Sequence, residues 1–230
     1  DKLPDFYSIK PKHVIPAINK VINENLKVIS EIESMSESPR WMNFVTTLEI
    51  CSERLNRIWS YINHINAVKS SPSYRKVYNQ ALTKITKYSS HLGQSHILYN
   101  KYKKILQNNN QLSHSQKKLI KNEIISFELS GVALPKKQKI RFKAIQSKLS
   151  KLSSSFDENI LDSINSFKLV ITDKNLLKGI PDDVVKSAHL KAKARKTKGY
   201  LFTIDFPSYL PIMQYADDRK LRKDIYTAYN

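Results

Sequence analysis

The sequence predicts a mainly α-helical protein, with long amphipathic helices in antiparallel packing and at most one or two short strands near residues 200–204. Two observations predict this class. Apolar residues recur every three or four positions through most of the 230 residues, which is the spacing of one helix face. Glycine occurs only four times, and several of the nine prolines stand where a periodic run begins. The length is ample for a sizeable hydrophobic core.

The first part of the chain contains three predicted helical regions. One begins at Pro11 and ends before a loop at 34–39, and another begins near Pro72 and is interrupted at Gly93. Between them lies a single apolar stripe of about six turns, formed by Phe44, Leu48, Cys51, Leu55, Ile58, Ile62 and Ile65. Because Cys51 belongs to this stripe, we expect a small buried hydrophobe and not a nucleophile.

The middle of the chain contains a predicted linker, a short helix and a long one. Asn108 to Asn110 form the linker, and Ser113 with Gln116 has the spacing of a capping box that opens a helix ending at Gly131. Pro135 then begins the longest candidate, a helix of about 50 Å at 1.5 Å per residue. Its predicted stripe consists of Ile145, Leu149, Leu152, Phe156, Ile160, Ile164, Phe167 and Ile171.

The last 50 residues predict two helices and one strand. A helix begins at Pro181, and Gly199 ends it. The segment 200–204 reads as a strand without a partner elsewhere in the sequence, and Pro207 and Pro211 bracket a turn.

The final helix is predicted to cap at Asp217 and to present a stripe of Leu221, Ile225 and Tyr229. Since no helix-ending signal precedes Asn230, we expect the chain to stop within an element. Its first residue is Asp1 and its first methionine is Met35, so we also expect a segment before it.

The net charge of +19 is concentrated in the middle of the chain. Residues 54–156 contain 20 basic and 2 acidic residues, whereas 1–53 contain 6 and 8, and 157–230 contain 13 and 10. Such an excess is compatible with a surface for nucleic acid or another polyanion. However, 31 of the 39 basic residues are lysine, and arginine is the residue preferred for bidentate phosphate and guanine recognition. We therefore interpret most of this charge as ordinary solvated surface.

The residue content excludes several kinds of site. Four glycines leave no glycine-rich phosphate loop, and the single cysteine excludes an internal disulfide or a multi-cysteine zinc site. His91 and His96 are five residues apart and lack the glutamate of an H-E-x-x-H zinc helix. The sequence by itself names no catalytic, metal-binding or substrate-binding residue.

No apolar run approaches the 18 residues of a membrane span, and the N-terminal residues lack the pattern of a signal peptide. Together with the single cysteine, this predicts a protein of the cytoplasm without a membrane partner.

Four ordered strings carry a resemblance to a known family. They are LPDFYSIKPKHVIPAI (3–18), RLNRIWSYINHINAVKSSPSYRKVYN (54–79), FELSGVALP with LSKLSSSFDENILDS (127–135 and 149–163), and LFTIDFPSYLPIMQYADDRKLRKDIYTAY (201–229). In order and spacing they resemble the N-terminal portion of the thimet oligopeptidase and neurolysin family of zinc metallopeptidases, and within it the bacterial oligopeptidase A branch. The resemblance extends over essentially the whole chain.

The resemblance implies a helical protein of two domains beside a deep, narrow channel that admits short unstructured peptides. The family's zinc ligands are an H-E-x-x-H helix and a later glutamate, and the glutamate of that motif is the general base. No position of this sequence matches that motif. We therefore expect residues 1–230 to be the N-terminal helical region of a larger peptide-degrading hydrolase, without its catalytic domain.

It follows that Zn²⁺ is expected in the complete enzyme and not on this chain, which is predicted to be inactive alone. Short oligopeptides and the catalytic domain are its expected partners, and nucleic acid is not. The alternative is a basic α-helical module that binds nucleic acid or another polyanion through residues 54–156. A third hypothesis is a helical scaffold that assembles with a partner through exposed apolar surface.

Overall fold

The computed structural model describes residues 4–107 and 112–230, and the chain divides into two units, Asp1–Ser154 and Ser155–Asn230. The fold is mainly α-helical, as predicted. The helices that begin in the first unit are α1 (Pro11–Ser34), α2 (Thr46–Val68), α3 (Pro72–Leu92), α4 (His96–Gln107), α5 (His114–Leu129) and α6 (Lys136–Ser166). The predicted Asn108–Asn110 linker lies outside the described residues.

The core of the first unit confirms the predicted stripe of α2. A π-helical turn at Trp41–Val45 precedes α2, and the stripe begins in that turn at Phe44, which is fully buried. Helix α1 packs against α2 and α3, and α4 packs against α5. Cys51 is buried as predicted, and its carbonyl oxygen accepts a hydrogen bond from Asn25 Nδ2 at 2.8 Å. Burial also raises the pKa of the Cys51 thiol, which disfavours the reactive thiolate.

The predicted helix boundaries between α3 and α6 are confirmed. Gly93 separates α3 from α4, and α5 ends two residues before Gly131. The capping box of α5 is present, since Ser113 N donates to Gln116 Oε1 at 2.9 Å and Gln116 N donates to Ser113 Oγ at 3.2 Å.

Helix α6 differs from its prediction in two ways. It ends at Ser166, whereas the apolar periodicity continues to Ile171, because the β-branched run of residues 170–172 favours an extended backbone. Its predicted stripe is also exposed. Within the described residues of α6 only Ser154 is buried, whereas five large apolar side chains of the predicted stripe are 44–64% exposed. They are Ile145, Leu149, Leu152, Phe156 and Ile160.

After the end of α6, the second unit contains a two-stranded antiparallel sheet and three further helices. Strand β1 (Leu169–Ile171) pairs with β2 (Tyr200–Phe202), with Leu169 opposite Phe202. The strand predicted at 200–204 therefore has its partner within the chain, and the expectation of an unpaired strand is wrong. The helices are α7 (Asp182–Ala194), α8 (Phe206–Tyr215) and α9 (Arg219–Tyr229), and a 3₁₀ turn occupies Lys174–Leu177.

Helix α7 ends earlier than predicted. The left-handed residue that closes it is Lys196, with φ +55°, and Thr197 N donates to Ala192 O at 2.9 Å. Gly199 instead lies directly before β2. Its φ is +102°, and a Cβ there would lie 2.5 Å from the carbonyl oxygen of Ile171 on β1.

Two further predictions near the C-terminal end are wrong in detail. Pro207 and Pro211 do not bracket a turn, because Pro207 occupies the first turn of α8, where no backbone N–H is needed, and Pro211 lies inside that helix. The cap of α9 is Asp218 and not Asp217, since Asp218 Oδ1 accepts a hydrogen bond from Leu221 N at 2.6 Å.

Across the described ranges 4–107 and 112–230, no helix is both long enough and apolar enough to cross a membrane.

Candidate functional site

An open groove lies between α3, α5 and α6 in the first unit. Its volume is about 640 Å³. None of its lining residues is charged, although 26% of the chain is charged and the sequence range 54–156, to which these residues belong, is strongly basic. The lining residues are Ile85, Thr86, Ser89, Ser90, Asn122, Ile125, Ser126, Leu129, Ser130, Phe142, Gln146, Leu149 and Ser150.

The turn between α5 and α6 positions two walls of this groove. Val132 in that turn is fully buried, and its N–H donates to Phe127 O at 3.1 Å. Leu134 N donates to Gly131 O at 3.1 Å, and Pro135 immediately precedes α6. The buried Val132 side chain thus holds the start of α6 beside the end of α5.

Helix α6 contacts α3 through hydroxyl groups and not through its apolar stripe. Thr86 Oγ1 donates to Leu82 O at 2.9 Å, so the 3.0 Å contact with Ser150 Oγ is one in which Ser150 donates. One turn further along, Ser154 Oγ donates to Asn79 Oδ1 at 2.7 Å. These two bonds fix the side of the groove formed by α3 and α6.

The groove combines apolar edges with uncharged hydrogen-bonding groups. Ile125, Leu129 and Leu149 are 51%, 75% and 55% exposed, so their apolar surface is available at the edges. Serine and threonine hydroxyls and the amides of Asn122 and Gln146 provide donors and acceptors between them. Such a lining can hold apolar side chains and hydrogen-bond to peptide groups.

A second cavity, of about 300 Å³, contains one carboxylate, that of Glu123 on α5. Burial raises the pKa of the Glu123 carboxyl, and the negative charge of Glu49 raises it further. Burial also raises the pKa of the hydroxyls of Tyr88 and Tyr102, which line the same cavity. The charged form of Glu123 is therefore unfavourable in this surrounding.

We predict that Glu123→Gln stabilises the protein at neutral pH. Between the ordinary pKa of the carboxyl and its raised value, the folded protein holds a proton that the unfolded chain has released, so stability falls as pH rises through this window. The variant should exceed the wild type by a few tenths to about 1 kcal/mol at pH 7, because the carboxylate is only half-buried. The difference should shrink towards pH 4 in urea titrations.

Glu31→Gln is the matched control, because Glu31 is exposed on α1. Its unfolding midpoint should remain close to that of the wild type at both pH values. A Glu123→Gln protein less stable than wild type at pH 7 would contradict the prediction.

The residues considered as metal ligands do not form a site. Within residues 4–107 and 112–230, no group of three or more histidine, cysteine or carboxylate side chains could hold a metal ion. His96 Nε2 lies 3.0 Å from the Nζ of Lys139, a neighbour that opposes metal binding. The described residues therefore do not fit a zinc ion.

Several basic residues of the middle region have local partners. Arg54 pairs with Glu24, and Lys101 Nζ donates to the carbonyl oxygens of Ile32 and Met35 at 2.7 and 3.0 Å, at the C-terminal end of α1. These contacts give part of the charge a structural role. Polyanion binding stays a prediction, and a nucleic-acid titration at two salt concentrations tests it, because phosphate-driven binding weakens steeply with salt.

The groove was not predicted from the sequence. Its polar residues recur four positions apart, which places each pair on one helix face. The pairs within the helices are Thr86 with Ser90, Asn122 with Ser126, and Gln146 with Ser150. This spacing is the signal that could have been noticed, beside the apolar periodicity of the same helices.

Comparisons with known proteins agree with the resemblance carried by the four strings. Residues 18–139 match the family model of the neurolysin/thimet oligopeptidase N-terminal domain. The chain is 37% identical to Oligopeptidase A of Salmonella typhimurium and 36% identical to that of Escherichia coli, over 99% and 100% of its own length and 34% of each relative. It is also 36% identical to Probable cytosolic oligopeptidase A of Arabidopsis thaliana, over 98% of this chain and 33% of that protein.

The chain thus spans about a third of the length of the curated relatives it matches. The segment matched by the family model includes α3, α5 and most of the groove. This chain belongs to the neurolysin/thimet oligopeptidase family and corresponds to the N-terminal portion of its oligopeptidase A relatives.

Proposed function

We propose that this chain is the non-catalytic N-terminal region of a zinc metalloendopeptidase that hydrolyses short peptides, and that it forms one wall of the substrate channel. The observation that carries the proposal is the match to the N-terminal domain of a peptidase family, continued at 36–37% identity over the whole chain by proteins named oligopeptidase A. The uncharged groove supports it, since it is an open surface suited to a peptide.

The proposal assigns zinc and the catalytic residues to a part of the enzyme outside residues 1–230. It rests on the family's H-E-x-x-H motif, which no position here matches. The chain's own residues would bind and orient the peptide and restrict access to the channel. We place the complete protein in the cytoplasm, in keeping with a relative named as cytosolic.

Two experiments test this function. The isolated chain should not hydrolyse a fluorogenic octapeptide with or without added Zn²⁺, and zinc-dependent hydrolysis by it would overturn the non-catalytic role. In a chimera, this chain replaces the aligned third of the Escherichia coli Oligopeptidase A. The chimera should hydrolyse the octapeptide, whereas a folded but inactive chimera would count against the proposed wall.

The matched control for the chimera is the Escherichia coli protein itself, assayed with the same peptide and metal. A second control is the chimera carrying Met42→Lys, because Met42 is 71% exposed and does not line the groove. Its activity should equal that of the parent chimera.

A further inference from the structure

We infer that the groove between α3, α5 and α6 binds an extended, uncharged segment of a peptide and selects against charged residues at that segment. The inference rests on the proposed function, because it assigns a preference to the wall that the chain would form. It concerns only residues of the first unit, between Ile85 and Ser150.

The groove lining is neutral, although it lies within the most basic part of the sequence. Residues 54–156 contain 20 basic and 2 acidic residues, yet all the side chains that line the groove are neutral. A charged group entering the groove would leave water for a partly apolar lining without a charge partner, which is costly. An uncharged segment pays no such penalty.

Two side-chain amides in the groove are suited to bind a peptide backbone. Asn122 on α5 and Gln146 on α6 each present an amide with both donor and acceptor capacity. Within the described part of the chain, neither amide has a hydrogen-bond partner, whereas Ser150 already donates to Thr86. The two amides can therefore bond to the N–H and C=O groups that an extended peptide presents along its length.

The dimensions set the length of the segment. Residues 142–150 of α6 cover eight steps, or about 12 Å at 1.5 Å per residue, and residues 122–129 of α5 cover about 10 Å. An extended peptide advances about 3.3 Å per residue, so the groove accommodates about four residues. Phe142, Leu129 and Leu149 offer apolar contacts along this distance, which favours apolar side chains in the segment.

The preference is tested in the chimera with Gln146→Glu and Gln146→Lys. The substrates are an uncharged fluorogenic octapeptide and versions with one Lys or one Glu moved along its length. We expect kcat/KM for the uncharged peptide to fall about fivefold in both variants, since each charge is placed opposite a neutral segment. At the peptide positions that occupy the groove, Gln146→Glu should favour the peptides that carry Lys. Gln146→Lys should favour the peptides that carry Glu.

Gln80→Glu and Gln80→Lys are the matched controls, because Gln80 is exposed on α3 and does not line the groove. These variants should show no opposite preference for Lys and Glu peptides. An active chimera in which Gln146 and Gln80 variants behave alike overturns the inference and leaves the proposed function standing.

Nuclear magnetic resonance on the 230-residue chain tests binding without catalysis. The probe is an acetylated and amidated Leu-Ala-Leu-Ala peptide, compared with versions carrying Lys or Asp at its second position. We expect saturable shifts of backbone amides in 122–130 and 142–150 with the neutral peptide, and at least about fivefold weaker binding of the charged ones. Equal binding of all three peptides, or shifts confined to other residues, would overturn the inference even if the chimera is inactive.

Discussion

Truncating Phe44 should destabilise the first unit more than any surface substitution, by about 3–5 kcal/mol for Phe44→Ala. Phe44 is fully buried, and its ring lies edge-on to Tyr102 with the centroids 4.8 Å apart. Tyr102 is itself buried, and its ring centroid lies 5.7 Å from that of Phe127. Removal of the Phe44 ring therefore leaves a cavity between the π-helical turn that precedes α2 and the helices α4 and α5.

Tryptophan fluorescence in urea measures this loss in the first unit alone. Both tryptophans of the chain, Trp41 and Trp59, belong to that unit. Met42→Ala is the matched control, since Met42 lies in the same π-helical turn but is 71% exposed. The free energy of unfolding of Met42→Ala should differ from that of the wild type by less than about 0.5 kcal/mol. Equal losses in the two variants would show that Phe44 is not a core residue.

The helices with buried stripes could be predicted from the sequence because spacing and burial agree there. In α2 the stripe that starts at Phe44 and ends at Ile65 is almost entirely core. The end signals were equally readable, since Gly93 and the Ser113–Gln116 box act through local backbone chemistry. Local rules therefore gave most helix boundaries to within a residue or two.

Helix α6 shows where such reasoning fails. Periodicity reveals that Leu149, Leu152 and Phe156 share a face, but not that another face of the helix contacts the protein. That contact uses Ser150 and Ser154, whose hydroxyls bond to residues of α3 that are more than 60 positions away. Long-range hydrogen bonds between small polar side chains leave no apolar pattern in the sequence. The groove was missed for the same reason.

Strand β1 was missed because its residues continue the helical spacing of α6. Phe167 and Ile171 satisfy steps of three and four, yet Val170 and Ile171 are β-branched and follow the end of the helix. The pairing with β2 decides between the two structures, and pairing partners 29 to 33 residues apart cannot be read from local spacing. That this chain contains no catalytic or metal-binding residue remains a prediction. The hydrolysis assays of the isolated chain and of the chimera test it.

In the second unit, we expect Gly179→Ala to cause the largest loss of stability, lowering the free energy of unfolding by about 3 kcal/mol or more. Gly179 has φ +83°, a conformation that costs any other L-residue energy. An added Cβ would also lie 2.0 Å from the backbone oxygen of Tyr215, at the end of α8. Since this neighbour is backbone, it cannot move aside without shifting the segment in which Asp217 N donates to Lys178 O at 2.9 Å.

Lys178→Ala is the control that separates this effect from a general sensitivity of the loop. The Lys178 side chain is exposed, and the bond to Asp217 uses only its carbonyl oxygen, so the substitution should be nearly neutral. Hydrogen exchange of β2 and α9 amides should quicken in Gly179→Ala and not in Lys178→Ala. If exchange in Gly179→Ala stays at the wild-type rate, the close approach of residue 179 to the end of α8 is not a constraint on this unit.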